Sequence, residues 1–80
     1  MTEPSISEAL TRERAENMKL EHFTVTSGQA YKLAREMVQM QMEPPRTVRE
    51  FFAAVGPVYE SIRQGRVKFL GLPVRIGRPE

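Results

Sequence analysis

The stretch GRVKFLGLPVRIGRPE, residues 65–80, constrains the fold most, because apolar and basic side chains alternate along it. An alternation with a period of two puts successive side chains on opposite faces of a β-strand. The stretch therefore predicts a β-ribbon with one apolar face, which needs a core to cover it, and one cationic face. An isolated hairpin is barely stable in water, so a further strand or a packed helix must support this ribbon.

The sequence predicts a two-residue turn at Gly71 and Leu72, because glycine suits the first position of a type II′ turn. This register gives three cross-strand pairs: Phe69 with Val74, Val67 with Ile76, and Lys68 with Arg75. Two pairs are apolar, and the third places like charges opposite each other on the other face. Pro73 has no N–H to close a tight hairpin, which favours a wider loop. The alternative to a hairpin is a single long strand with a bulge at Gly71.

A helix, a short strand and a second helix are predicted in the first half of the chain. Residues 5–20 form the first helix, with Ser5 and Glu8 at capping-box spacing and a narrow apolar stripe that includes Met18. Residues 22–26 alternate polar and apolar side chains with β-branched and aromatic types, which favours a strand. Thr26 or Ser27 then caps the second helix, since Thr26 and Gln29 also have capping-box spacing.

Three methionines follow at the end of the second helix, at positions 37, 40 and 42. Thioether side chains suit adaptable binding surfaces as well as irregular cores. For Met37 the sequence favours core filling, because it lies on the apolar face of the helix. Met40 and Met42 cannot both face the same core, so one of them is predicted to be exposed.

The sequence EPPR breaks the chain, and a third helix begins after Thr47, which has capping-box spacing to Glu50. Its apolar positions recur at three- and four-residue steps. They are Val48, Phe51, Phe52, Val55, Val58, Tyr59 and Ile62. Replacing Tyr59 or Phe52 with alanine is expected to cost about 3–5 kcal/mol if the side chain is fully buried, and Phe51 and Phe52 cannot both point equally to the centre of this face. Gly56-Pro57 predicts a kink in this helix, or two short helices meeting there.

These elements predict an α+β fold in the order αβααββ, as a single domain over residues 1–80. Three helices, the third kinked at Gly56-Pro57, pack on one face of a small antiparallel sheet that contains the C-terminal β-ribbon. An open sheet edge invites a partner strand, so the protein is expected to be a monomer or a homodimer.

Charge is distributed unevenly along the chain. All ten acids are glutamate, and nine of the twelve bases are arginine. Residues 1–45 hold five bases and seven acids, whereas residues 46–80 hold seven bases and three acids. Such asymmetry points to a partner rather than to a fold. The candidate partner-binding residues are Arg63, Arg66, Lys68, Arg75 and Arg78. The opposing interpretation is an ordinary solvated face.

The residues that most enzymes need are scarce. The chain has one histidine, His22, and contains neither cysteine nor aspartate. A general base or a metal ligand needs neighbours of the right type, and the five glycines do not form a phosphate loop. We therefore predict a protein that is not an enzyme, with no catalytic, cofactor or metal site. Without cysteines, a signal sequence or a membrane span, the expected location is the cytoplasm.

The organisation of the chain resembles small proteins encoded by phages and prophages. The resemblance rests on the size of the domain, on RTVREFF at the start of a helix and on RVKFLGLPVRI as a closing ribbon. Within that class the chain is similar in kind to anti-CRISPR proteins, which block bacterial immune effectors by occupying their surfaces. Many of those proteins are acidic mimics of DNA, and the basic second half of this chain departs from that pattern.

The function predicted from the sequence is non-enzymatic binding of a macromolecule, as a small phage-type inhibitor of a host effector complex. A protein or ribonucleoprotein partner is favoured by the absence of catalytic chemistry, the small size and the uneven charge. An acidic protein groove suits the arginines as well as nucleic acid does, because arginine forks bind carboxylates with two parallel hydrogen bonds. One alternative is a DNA- or RNA-binding regulator that uses the basic ribbon, as known β-ribbon readers do. A second alternative is a structural or assembly subunit.

Overall fold

A computed structural model describes residues 5–41 and 47–77, and it confirms the α+β class and the predicted order of elements. The elements are α1 (Ile6–Glu16), β1 (Phe23–Val25), α2 (Ser27–Gln41), α3 (Val48–Arg63), β2 (Lys68–Phe69) and β3 (Leu72–Ile76). The predictions for Met42 and Arg78 lie outside the described residues. In the part of the chain that the structure describes, no helix is long and apolar enough to cross a membrane.

The sheet is mixed rather than antiparallel, which corrects one part of the prediction. Its strand order is β1-β3-β2, with β3 in the centre. β3 pairs with β2 antiparallel and with β1 parallel, so that Phe23 lies beside Val74. A three-residue strand carries no signal of its direction. Parallel strands need a long crossover connection, and here α2, α3 and β2 lie between β1 and β3.

The ribbon is a hairpin rather than one bulged strand, and its turn lies at Leu70 and Gly71, one residue earlier than predicted. Both residues have positive φ angles, 52° and 80°, as a type I′ turn requires. The register sets Phe69 opposite Leu72 and Lys68 opposite Pro73. In this register Pro73 and Lys68 form a pair that exchanges no hydrogen bonds. The missing N–H of Pro73 therefore removes no hydrogen bond between β3 and β2.

Polar side chains hold the helix ends. Thr26 and Gln29 form a reciprocal capping box, because each backbone N–H donates to the other side chain, at 2.9 and 3.0 Å. α1 ends at Glu16, four residues earlier than predicted. The guanidinium of Arg14 there donates to the carbonyl of Met18 at 2.8 Å, and the Met18 side chain is 75% exposed.

The core lies between the sheet and the helices α2 and α3. The largest fully buried side chains are Phe23, Val25, Leu33, Val55, Ile62 and Val74. The apolar positions of α3 are more numerous than this core can bury. Val55 and Ile62 lie at its centre, whereas Tyr59 is half-buried and Phe52 is 46% exposed, so neither Tyr59 nor Phe52 reaches the full burial on which the expected loss depends.

α3 runs through Gly56-Pro57 as one helix, which excludes two short helices at this step. Proline removes one backbone N–H, so the carbonyl of Ala53 lacks its usual partner one turn further on. The carbonyl of Pro57 accepts a hydrogen bond from the Ser61 hydroxyl at 3.0 Å. The kink expected at this position stays a prediction.

Candidate cationic interface

The end of α3 directs the chain into the ribbon. Gly65 has a φ of 76°, and its N–H donates to the carbonyl of Ile62 at 3.0 Å. The N–H of Arg66 donates to the carbonyl of Ser61 at 2.9 Å. These two bonds form a Schellman motif, which ends the helix with a left-handed residue at glycine. Arg66 therefore leaves the helix from a position that backbone hydrogen bonds hold.

The two faces of the sheet separate apolar from basic side chains, as the sequence predicts. Val74 is fully buried and Phe69 half-buried on the core face, where the ring of Phe69 meets that of Phe23 edge-on with centroids 5.9 Å apart. Lys68 and Arg75 alternate with these residues and are exposed on the other face. The predicted and observed registers differ by two residues, and a shift of two leaves every side chain on its predicted face.

The cationic face consists of Arg66, Lys68 and Arg75, all of them exposed. Lys68 lies opposite Pro73, so the predicted direct pairing of Lys68 with Arg75 is wrong. Arg75 is instead the diagonal neighbour of Lys68, a relation that separates Cα atoms by about 7–8 Å. The N–H of Val74 donates to the carbonyl of Val67 at 3.1 Å, and continuing this register one step puts Arg66 beside Arg75.

Strand β1 extends the cationic face with a polar, uncharged edge. Thr24 pairs with Arg75 in the parallel ladder and points to the same side. Gly77 follows β3, and a Cβ atom added there would lie 3.3 Å from the Thr24 methyl group. The absence of a side chain at Gly77 keeps this edge open beside Arg75.

Arg63 differs from the cationic face because it already has an anionic partner. Its guanidinium donates two hydrogen bonds to the carboxylate of Glu60, one turn earlier in α3. These bonds hold the pKa of the Glu60 carboxyl below its ordinary value of 4.5 and raise the pKa of Arg63. Within residues 5–41 and 47–77, Arg66, Lys68 and Arg75 form no ion pair. Arg63 is therefore less available to an anionic ligand than the three residues of the cationic face.

A pocket of about 130 Å³ lies beside β2, and sequence reasoning did not find it. We call it the β2 pocket. It is lined by the apolar residues Leu33, Met37, Met40, Val67 and Phe69 and by the polar residues Ser7, Gln41 and Lys68. Met37 is half-buried, whereas Met40 is 79% exposed at the mouth. The methionine cluster is the one sequence signal for this pocket, but the sequence does not show which other residues line the pocket.

The described residues hold no group of three histidine, cysteine, aspartate or glutamate side chains placed to bind a metal ion. His22 is half-buried just before β1. No family model matches the chain, and no curated protein or solved structure is detectably similar to it. The functional interpretation therefore depends on the geometry of the cationic face and of the β2 pocket.

Proposed function

We propose that the protein binds an acidic surface of a protein partner through its cationic face and inhibits the partner by covering that surface. The observation that carries this proposal is the placement of Lys68 and Arg75. Both are exposed on the outer face of a sheet whose inner face is core, and neither is neutralised by a described residue. The sheet already fixes the backbone positions of these charges, so only their side chains must be ordered when a ligand binds, which reduces the entropic cost of association.

A protein partner is favoured over nucleic acid by the size and composition of the face. Arg66 and Arg75 can each bind a carboxylate with two hydrogen bonds, and Thr24 adds a neutral hydroxyl at the edge. Three cations would neutralise few phosphates, whereas specific protein–DNA interfaces are much more positively charged than protein–protein interfaces. A phage-type inhibitor of an effector complex, of the anti-CRISPR kind, is the form of this function that we propose.

The test compares two variants with the same change in net charge. The first replaces Arg66, Lys68 and Arg75 with alanine, and the control replaces Arg12, Lys32 and Arg35, which are exposed cations outside the face. Partners are captured from bacterial lysate with and without nuclease, identified and purified, and their affinities for both variants are measured. We expect a nuclease-resistant protein whose affinity falls at least tenfold for the first variant and stays unchanged for the control.

Salt dependence gives a second measurement with the purified partner. For a protein partner, added salt should act mainly on the association rate, because exposed charges steer the encounter. Recovery of nucleic acid alone would overturn the proposal in favour of a nucleic-acid-binding regulator. In that case a plot of log affinity against log salt concentration should fall with a slope close to one for each phosphate contact. Equal losses for both variants would show that net charge, rather than this face, determines binding.

A further inference from the structure

The β2 pocket and the cationic face meet at Lys68. Its side chain belongs to the exposed face of the sheet, and the same residue lines the pocket. β2 is an edge strand, so no further strand of the described chain covers this side of the sheet. Lys68 has no ion-pair partner among the described residues, so its ammonium group is available to a ligand that binds in the pocket.

The volume of the pocket corresponds to one side chain. A dry cavity of about 150 Å³ holds a benzene molecule, and the β2 pocket measures about 130 Å³. Its walls are Leu33, Met37, Met40, Val67 and Phe69. Water in such a site finds few hydrogen-bonding partners, so an apolar group that displaces it gains affinity. The two methionines can adjust to the shape of that group.

We infer that the β2 pocket receives one leucine-sized side chain from an acidic segment of the partner protein, with a flanking carboxylate bound by Lys68. The inference rests on the proposed function, because the carboxylate belongs to the acidic surface that the cationic face recognises. An apolar anchor in a pocket with charges around it is a common arrangement at protein interfaces. It fixes the position of the partner along the sheet, which charge alone does not.

The experiment uses three synthetic peptides, EELEE, EEAEE and QQLQQ, each acetylated and amidated. Each is titrated into the full chain carrying ¹³C-labelled methionine methyl groups. EELEE should shift the methyl signals of Met37 and Met40 but not that of Met18, which is exposed outside the pocket. It should bind about tenfold more tightly than EEAEE, since tenfold corresponds to about 1.4 kcal/mol, less than a fully buried leucine contributes. It should also bind more tightly than QQLQQ.

A matched pair of variants tests the pocket itself. Met40→Trp places a large ring at the mouth, and Met18→Trp places the same ring on an equally exposed surface elsewhere. Met40→Trp should abolish the preference for EELEE over EEAEE without changing the affinity for EEAEE. Met18→Trp should keep the preference. Because both methionines are exposed, neither change is expected to unfold the protein.

The possible failures are distinguishable. Equal affinities for EELEE and EEAEE would overturn the pocket assignment and leave the cationic face as the binding surface. Methyl shifts that are the same with EELEE and QQLQQ would show that the pocket binds leucine without help from charge, which contradicts the proposed function. Shifts of the Met37 and Met40 methyls on concentrating the protein alone would assign the pocket to a second copy. That result also overturns the proposal.

Discussion

The carboxylate of Glu36, in α2, binds the start of α1: its Oε2 lies 3.0 Å from the amide nitrogen of Ile6. Its Oε1 accepts a second hydrogen bond, from the N–H of Ser7 at 3.3 Å. Ser5, which precedes Ile6, is the N-cap residue of α1, and its hydroxyl oxygen accepts a hydrogen bond from the N–H of Glu8. Glu36 thus places a negative charge at the positive end of the helix dipole and attaches α1 to α2 by polar contacts.

Replacing Glu36 with alanine should lower the free energy of unfolding by about 1–3 kcal/mol, because two partly buried N–H groups lose their acceptor. Urea denaturation measures this change, and hydrogen exchange at Ile6 and Ser7 localises it to α1. The control is Glu21→Ala, at an exposed position before β1, which should stay within about 0.5 kcal/mol. Equal stabilities of the two variants would show that the contact contributes nothing.

The hairpin turn gives a stabilising prediction. Leu70 has a φ of 52° and a side chain 52% exposed, so it combines an unfavourable backbone with little burial. Leu70→Asn should raise the free energy of unfolding by about 1 kcal/mol, because asparagine tolerates the left-handed region that a type I′ turn requires. For a domain of this size that is an increase of about 4–8 °C in Tm, measurable by circular dichroism.

Gly71→Ala is the matching test at the second turn position. Its φ is 80°, and nothing lies within 4 Å of a Cβ added there, so the only penalty is in the backbone. We expect a loss of about 1–2 kcal/mol in the free energy of unfolding. A stabilised Gly71→Ala variant would mean that the turn lies elsewhere.

The corrected core predicts very different effects at two positions in α3. Ile62 is fully buried, and Ile62→Ala should cost about 2–5 kcal/mol in stability. Phe52 is 46% exposed and contacts the ring of Phe51 with centroids 5.5 Å apart. Phe52→Ala should therefore cost less than Ile62→Ala, because about half of the Phe52 side chain stays in water and the ring contact with Phe51 adds only about 0.5–1.5 kcal/mol. Chemical denaturation measures the stability of both variants. A larger loss for Phe52→Ala than for Ile62→Ala would contradict this assignment.

Much of this fold is determined by residues close together in the sequence, whereas most of the features that the sequence did not predict depend on distant contacts. Capping spacing correctly places the start of α2 at Thr26, and alternation places Lys68 and Arg75 on the outer face. The parallel direction of β1 and the Glu36 cap depend on contacts between residues far apart in the chain. The register failed for a local reason, since a turn with Leu70 at positive φ contradicts the usual preference for Asn or Gly.

The ion pair of Glu60 and Arg63 predicts a pH dependence. A hydrogen bond from Arg63 lowers the pKa of the Glu60 carboxyl from 4.5, so the pair stabilises the fold above that value. The stabilisation is lost as the pH falls through the lowered pKa. Titration of the carboxyl carbon by NMR should show the midpoint below 4.5 in the native protein and a return towards 4.5 in Arg63→Gln. An unchanged midpoint would contradict the pairing in solution.

The pairing of β1 with β3 has a consequence for the order of events during folding. α2, α3 and β2 all intervene between these two strands, so their contact closes a long loop and comes with a large entropic cost. We expect the α2–α3 pair to be ordered in the transition state and the β1–β3 ladder to form after it. Leu33→Ala should then slow folding, whereas Val25→Ala should mainly accelerate unfolding. On this route the surface that presents Arg75 is assembled last and is the first to be lost.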